Sequence, residues 1–219
     1  MTETSELPRA EVTRQRLLDA AVTAFAEKGF HGTTTRDIAA AAGLSPAAVY
    51  VHHRTKEELL YQISRAGHQE TLELVQAALA TSDDPVAALR AAVHDFAVNH
   101  ARETTVARIV NYELRALSPQ HLREIRAIRH QIDEAVRSVV ERGVAAGVFD
   151  VVDARITTTA LLSLGIDIAR WYRDGLGWSP DEVGNHYADM ALRIVGAAGG
   201  DLMAPPRAVR SRTRSSHRV

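Results

Sequence analysis

The chain has 219 residues, of which 46% are hydrophobic and 24% are charged, and its formal net charge is −1. These values are typical of a globular protein with one domain or two small ones. The sequence contains no cysteine, which excludes disulfides, cysteine-ligated zinc and thiol nucleophiles. No apolar stretch approaches the ~20 residues of a membrane-spanning helix, and residues 1–12 lack a signal-peptide pattern. We therefore expect a cytoplasmic protein without a membrane partner.

Three helix starts follow closely on one another in residues 33–60. Thr34 and Asp37 form a capping-box pattern at the first start, and Gly43 supplies the left-handed residue that ends this helix. Ser45, followed by a proline at the first helical position, begins a second and short helix. Two helices joined by a tight glycine-containing turn, the second of them short, predict a helix-turn-helix.

The remaining long segments all have helical spacing, and none alternates as a strand would. Thr55 caps the third start, which opens a much longer helix. The pattern predicts an all-α fold with about nine helices. The helices predicted after Thr55 span residues 56–80, 85–102, 104–116, 119–146, 153–174 and 180–197.

The last two predicted helices carry wide apolar faces, which require partners on more than one side. Their apolar residues are Ile156, Ala160, Leu161, Leu164, Ile168, Trp171 and Tyr172 in the first helix, and Val183, Tyr187, Met190, Ala191, Ile194 and Val195 in the second. Taken alone, this pattern allows both faces to belong to the core of one chain.

The helix-turn-helix segment resembles the N-terminal DNA-binding domain of the TetR family of bacterial transcriptional regulators. The matching elements are Ala21 to Phe30 (AVTAFAEKGF), Asp37 to Ala39, Ala42 to Ser45, Tyr50 to His52 and Lys56 to Leu59, and their spacing matches without a gap. His53 departs from the family, which usually places an aromatic residue there to pack under the second helix of the motif.

The resemblance implies two domains, and the composition of the last residues indicates a tail. Residues 1-55 form a helix-turn-helix DNA-binding domain, and residues 56-198 form an all-helical domain for ligand binding and dimerisation. The last two helices pair with those of a second subunit as a four-helix bundle, which gives a homodimer. Residues 199-219, with five arginines among Ser, Thr and Pro, form a basic, disordered tail, which is either solvated or in contact with the DNA backbone.

The candidate DNA-contacting residues lie on the two helices of the motif and at the next helix start. They are Thr34, Arg36, Ser45, Ala47, Ala48, Tyr50, His52 and Lys56. The two alanines have no hydrogen-bond donors and can contact only thymine methyl groups or pass close to the backbone. Residues 1–60 hold seven basic and eight acidic residues, so the net charge does not support DNA binding; the position of basic residues near helix starts does.

The candidate ligand contacts are polar or aromatic residues on otherwise apolar helices. They are His94, Asn111, Tyr112, Arg115, Arg170 and Trp171. Each residue of this kind, taken alone, is more often a core or surface residue than a ligand contact. This part of the chain resembles a subgroup of the family that senses CoA thioesters, in which Arg170 matches an arginine near the CoA moiety. Other positions that support this arginine in those relatives are apolar here, for instance Leu162 and Ile166.

The expected function is that of a ligand-responsive regulator. The resemblance implies a repressor that a small-molecule inducer, with an acyl-CoA thioester favoured, releases from a palindromic operator in double-stranded DNA. Two alternatives are an activator of the same family and a helical small-molecule-binding enzyme that retains a helix-turn-helix. No nucleophile, metal or phosphate-loop motif occurs in the sequence, so we expect no enzymatic activity, no cofactor and no metal site.

Overall fold

The computed structural model describes residues 9–53 and 55–197, and within these ranges it contains nine α-helices, one 3-10 helix and no strand. The predicted tail, residues 199-219, lies outside the described residues. The helices are α1 (Arg9–Gly32), α2 (Thr35–Ala41), α3 (Pro46–His52), α4 (Lys56–Leu79), α5 (Pro85–Arg102), α6 (Thr104–Tyr112), α7 (Pro119–Ala145), α8 (Ala154–Trp171) and α9 (Pro180–Ile194), with the 3-10 helix at Leu114–Ala116.

Capping and glycine turns set most of these bounds. Asp84, Ser118, Asp153 and Ser179 each cap the helix that follows by accepting from backbone N–H groups of its first turn. Helix α6 differs, because Glu103 precedes it without a side-chain cap and also ends α5. One residue thus joins these two helices directly.

Two glycines shape the N-terminal helices. Gly29, at φ 68°, breaks α1 three residues before its end. Gly43, at φ 64°, follows α2 and turns the chain toward α3. The turn is also held by α1, because Arg16 Nη2 donates to the carbonyl of Ala42 at 2.7 Å. The helix-turn-helix predicted from the sequence is confirmed.

An apolar core joins the helix-turn-helix to the body. Leu17, Phe25, Ile38 and Val49 from α1 to α3 pack in one cluster with residues from the start of α4 and with Ile109, Leu117 and Ile125 around α6 and α7. Polar contacts reinforce the joint between α4 and α7. The Glu57 carboxylate accepts from the Ser118 backbone N–H at 2.7 Å and lies 2.9 Å from His121 Nδ1. The first turn of α4 is therefore fixed to the start of α7.

A second core fills the body. It contains Leu72, Val75, Leu89, Phe96, Ile132, Val136, Val140, Leu161, Leu192 and Val195 from α4, α5, α7, α8 and α9. Helix α9 packs chiefly on α5, whereas α8 contacts α5, α6 and α7. None of the helices among the described residues has the length and apolar character needed to cross a membrane.

The observed bounds differ from the predicted ones by three or more residues at three helix ends, one of which is the end of α9, at Ile194 and not at residue 197. The predicted helix 104–116 stops at Tyr112 and resumes as the short 3-10 turn. Helix α8 stops at Trp171, three residues before its predicted end, because Tyr172 has extended backbone angles (φ −69°, ψ 138°). The all-α fold is confirmed, whereas the domain limit at residue 55 stays a prediction.

Candidate DNA-binding surface and ligand pocket

Helix α3 lies with one face on the core and the other in solvent. Val49 is fully buried, whereas Tyr50 and Val51 are 57% and 79% exposed. Other predicted DNA-contacting residues with exposed side chains are Thr34, Arg36, Ser45 and Ala47. His52 and Lys56 are half-buried, and the side chain of Ala48 lies outside the described part of the structure.

Hydrogen bonds fix the side chains at the start of α2. The Tyr50 hydroxyl lies 3.1 Å from the Thr35 hydroxyl, which ties α3 to α2. Thr34 accepts from the Asp37 N–H at 3.2 Å and the Asp37 carboxylate accepts from the Thr34 N–H at 2.8 Å, so both halves of the capping box form. Lys28 donates to this carboxylate at 2.9 Å. The bonds from Lys28 and Thr34 lower the pKa of the Asp37 carboxyl.

Lys56 is engaged by the end of α1. Its Nζ donates to the carbonyls of Phe30 at 2.7 Å and Thr33 at 2.8 Å, and lies 4.4 Å from the centre of the Phe30 ring. These contacts supply donors to carbonyls at the helix end, where intrahelical donors run out, although the Phe30 carbonyl also accepts from the Thr33 N–H at 3.3 Å. An ammonium has three donors, so one remains for the contact with DNA that is expected of Lys56.

His53 occupies the position of the usual aromatic residue. Its side chain is buried, and its Nε2 has no hydrogen-bond partner among the described residues. Burial lowers the pKa of His53, because a charged imidazole is poorly solvated there. The neutral ring thus takes the packing place of an aromatic side chain.

A pocket of about 290 Å³ lies in the body between α4, α5, α6, α7 and α8. Its apolar lining comes from Phe96, Val110, Ile132, Leu162 and Ile166, and its polar lining includes His68, His100, Asn111 and Arg129. The volume is at the lower end of the ~300–1,000 Å³ that small-molecule sites commonly have. Apolar walls with a few convergent polar groups are typical of such sites.

Hydrogen bonds to one another and to backbone carbonyls hold the polar groups of this pocket in place. Arg129 Nη1 donates to Asn111 Oδ1 at 2.8 Å and lies 3.1 Å from His68 Nε2. His68 Nδ1 lies 2.7 Å from the carbonyl of Ser64, and His100 Nδ1 lies 2.9 Å from that of Phe96. Burial lowers the pKa of both His68 and His100 to about 4, so both rings are neutral near pH 7.

The predicted ligand contacts do not all meet in one place. Asn111 lines the body pocket, whereas Tyr112 and Arg170 line a second pocket of about 410 Å³ between α1, α6 and α8. His94 bonds to Asp95 at 2.8 Å and packs against α9. Trp171 stacks on Tyr187, and Arg115 lies in the 3-10 helix. Of the six predicted residues, one lines the body pocket.

The sequence reasoning did not select Arg129, His68 or His100 for this pocket. A signal was present for the arginine, because Ile125, Ile132 and Val136 form the buried face of α7 and Arg129 falls on that face by helical spacing. A charged residue on the apolar face of a helix is an informative departure from the apolar spacing. The partner helices that enclose it could not be read from the spacing.

The apolar stripes of α8 and α9 are each divided. Leu161, Ile168, Val183 and Val195 are buried within the subunit, whereas Ile156, Leu164, Met190 and Ile194 are exposed. In α8 the exposed residues recur with one-turn spacing from Ile156 through Ala160 to Leu164. Each helix thus has one covered and one uncovered apolar face.

Comparisons with known proteins match nearly the whole of the described structure. A family model described as "Bacterial regulatory proteins, tetR family" matches residues 17–63, and one described as "Tetracyclin repressor-like, C-terminal domain" matches residues 82–195. The "HTH-type transcriptional repressor KstR2" of Rhodococcus jostii is 29% identical over 181 residues, which cover 82% of this chain and 89% of that protein.

Solved structures with similar folds include the following two. A bacterial regulatory protein in the tetR family from Rhodococcus RHA1 is 38% identical, with a TM-score of 0.83, and the match covers 88% of this chain and 100% of that one. AibR in complex with isovaleryl coenzyme A and operator DNA is 20% identical, with a TM-score of 0.76, and the match covers 84% of this chain and 99% of that one.

Proposed function

The chain belongs to the TetR family of bacterial regulatory proteins and is a DNA-binding transcriptional regulator, and on this premise we propose that it is a homodimeric repressor that a small-molecule inducer releases from a palindromic operator. It acts in the cytoplasm and has no enzymatic activity. KstR2, to which the chain is similar along most of its length, is named a repressor.

The exposed face of α3 is the observation that carries the proposal. A short helix anchored by Val49, with Tyr50 and Val51 in solvent, fits the major groove of B-DNA. Thr34 and Tyr50 contact phosphates and set the register, with the remaining donor of Lys56 beside them. Base contacts come from Arg36, Ser45, Ala47, Ala48 and His52, of which the alanines contact thymine methyl groups.

The uncovered apolar faces of α8 and α9 support a dimer. Ile156, Leu164, Met190 and Ile194 would otherwise remain in water, and burial of apolar surface is the main favourable term in protein association. The same surface on two copies gives a self-complementary interface with two-fold symmetry. Two α3 helices then face two half-sites about one helical turn apart.

Helix α6 supports a coupling between ligand and DNA. Val110 and Asn111 line the body pocket, while Glu113, directly after the helix, accepts from the Phe30 backbone N–H of α1 at 3.4 Å. A ligand that binds one arrangement of α6 better than another shifts the population of the DNA-binding heads by that difference in affinity.

An acyl-CoA thioester is the first class of inducer to test. AibR, which has the same fold, binds isovaleryl coenzyme A in its crystals. In this chain Arg108 and Arg170 line the polar pocket between α1, α6 and α8, and guanidinium groups suit phosphate recognition. We assign the acyl chain to the body pocket, because its lining is the more apolar of the two.

A gel shift with DNA from upstream of the protein's own gene tests the proposal. We expect a sequence-selective, salt-sensitive complex that an acyl-CoA thioester dissociates. Absence of any selective complex would refute DNA regulation as the function. An activator would give the same complex but raise transcription from the promoter, and a helical enzyme would consume the ligand.

A further inference from the structure

Arg129 places a positive charge inside the body pocket without an acidic partner. It lies on the buried face of α7 between Ile125 and Ile132, and it forms no ion pair with any residue that the structure describes. Burial lowers the pKa of Arg129, yet a guanidinium stays protonated in proteins. The pocket therefore contains a permanent cation.

The groups bonded to Arg129 do not balance this charge. His68 and His100 are neutral, and Asn111 offers only an amide dipole. Asp133, one turn further along α7, lines the same pocket but is not bonded to Arg129. Arg129 is half-buried, and a charge that is partly removed from water without a bonded counter-ion is unfavourable, so an anion that enters the pocket gains from pairing with it.

Some donors of the Arg129 guanidinium are not used by the described residues. Both protein contacts of Arg129 are made by Nη1, to Asn111 and His68. Nη2 and Nε have no hydrogen bond to any described residue, and together they match the two oxygens of a carboxylate. The opposite walls, formed by Phe96, Ile132 and Leu162, are apolar.

We propose that the body pocket takes an organic anion whose carboxylate pairs with Nη2 and Nε of Arg129 and whose apolar part packs against Phe96, Ile132 and Leu162. This inference rests on the proposed function, because it concerns the inducer. The carboxylate has two sources: a free carboxylic acid, or the far end of an acyl chain whose other end is linked to CoA.

Titration calorimetry on the full-length protein distinguishes the two sources. One arm compares the monocarboxylates from butyrate to decanoate, and phenylacetate, with their primary amides. The other arm compares suberoyl-CoA with octanoyl-CoA, which differ at the far end of the acyl chain by the carboxylate. We expect at least one carboxylate-bearing compound to bind about 10- to 100-fold more tightly than its neutral counterpart, as a charge-assisted hydrogen bond provides.

Variants at Arg129 test the anchor itself. Arg129→Met should lose the 10- to 100-fold preference for the carboxylate-bearing compound and bind the neutral counterpart as the wild type does. Arg129→Lys keeps the charge and should retain part of this preference. Arg123→Met removes an arginine from the exposed side of the same helix and should match the wild type. Far-UV circular dichroism checks that each variant is folded.

Three outcomes would overturn the anchor: equal binding of acids and amides, full affinity in Arg129→Met, or no binding by any carboxylate-bearing compound. Octanoyl-CoA that binds wild type and Arg129→Met equally would leave the thioester proposal intact and remove the anchor. Binding by free acids alone would support the anchor and remove the thioester. The operator gel shift tests DNA regulation separately from both.

Discussion

Lys56 and Glu57, adjacent in the chain at the start of α4, hold two different parts of the molecule. Lys56 donates to the carbonyls of Phe30 and Thr33 at the end of α1, and Glu57 accepts from Ser118 at the start of α7. A single helical turn thus connects the DNA-binding helices to the body through two short sets of polar contacts. Its geometry fixes the position of one relative to the other.

Lys56→Met should destabilise the protein by about 1–3 kcal/mol, because two hydrogen bonds from a charged donor are lost and the Thr33 carbonyl loses its donor, while the Phe30 carbonyl keeps the Thr33 N–H at 3.3 Å. Urea unfolding measures the change. Lys28→Met is the matched control: it removes a lysine from an exposed pair with Asp37 and should change the unfolding free energy much less. Equal losses in the two variants would show that the Lys56 contacts contribute nothing special.

Tyr50→Ala and His52→Ala should affect DNA binding in different ways. A phosphate contact carries no sequence information, so Tyr50→Ala should weaken binding to every operator variant by a similar factor. His52→Ala should change the preference among variants, by about 1–3 kcal/mol at the base it contacts. Fluorescence anisotropy on a set of singly substituted operators measures both. A change of preference in Tyr50→Ala alone would reverse the assignment.

Leu164→Asp and Ile194→Asp should each convert a dimer into a monomer, because a carboxylate would be buried without a partner in the proposed interface. Both side chains are exposed in the single chain, so the fold itself should tolerate the changes. Light scattering after size-exclusion chromatography gives the mass. Val12→Asp, at an exposed position on α1, should stay dimeric; a wild-type protein that is already monomeric would disprove the interface.

Stability should fall as the pH falls from about 6.5 to about 4. The pKa of His68 and His100 is about 4 in the folded protein and about 6.5 in an unfolded chain. Within this window the unfolded state binds the protons, so each histidine lowers the unfolding free energy by about 1.4 kcal/mol per pH unit. Above pH 6.5 the two contribute no pH dependence.

Urea unfolding between pH 7 and pH 4.5 measures this slope. His100→Gln should reduce it, whatever its effect on stability at pH 7. His130→Gln, which changes an exposed histidine, should leave the slope at its wild-type value. An unchanged slope in His100→Gln would mean that the ring takes up its proton without cost when folded.

Local signals in the sequence accounted for much of the fold and of the exposed motif. Caps at Thr34 and Thr55 and the turn at Gly43 are interactions between near neighbours, so a reader of the sequence can predict them. The pocket was harder to predict from the sequence, because Arg129, Asn111 and His68 come from three different helices. Their meeting depends on how those helices pack, which periodicity does not specify.

The same reason explains the fate of the predicted ligand residues. Tyr112 and Asn111 are neighbours in α6, yet they line different pockets, since residues next to each other on a helix point in directions about 100° apart. Polar identity alone selected both. The polar character of a residue does not tell on which side of the helix a pocket forms.

Helix α6 starts without a side-chain cap, so a substitution that supplies one would alter how sensitive the regulator is to its ligand. A good cap stabilises a helix start by about 1 kcal/mol, which is of the same size as the 1–3 kcal/mol that commonly couples two sites. We therefore expect a single substitution at Glu103, the residue before α6, to change the ligand concentration at which the proposed repressor leaves its operator. The threshold of the response can drift by changes that touch neither the ligand nor the DNA.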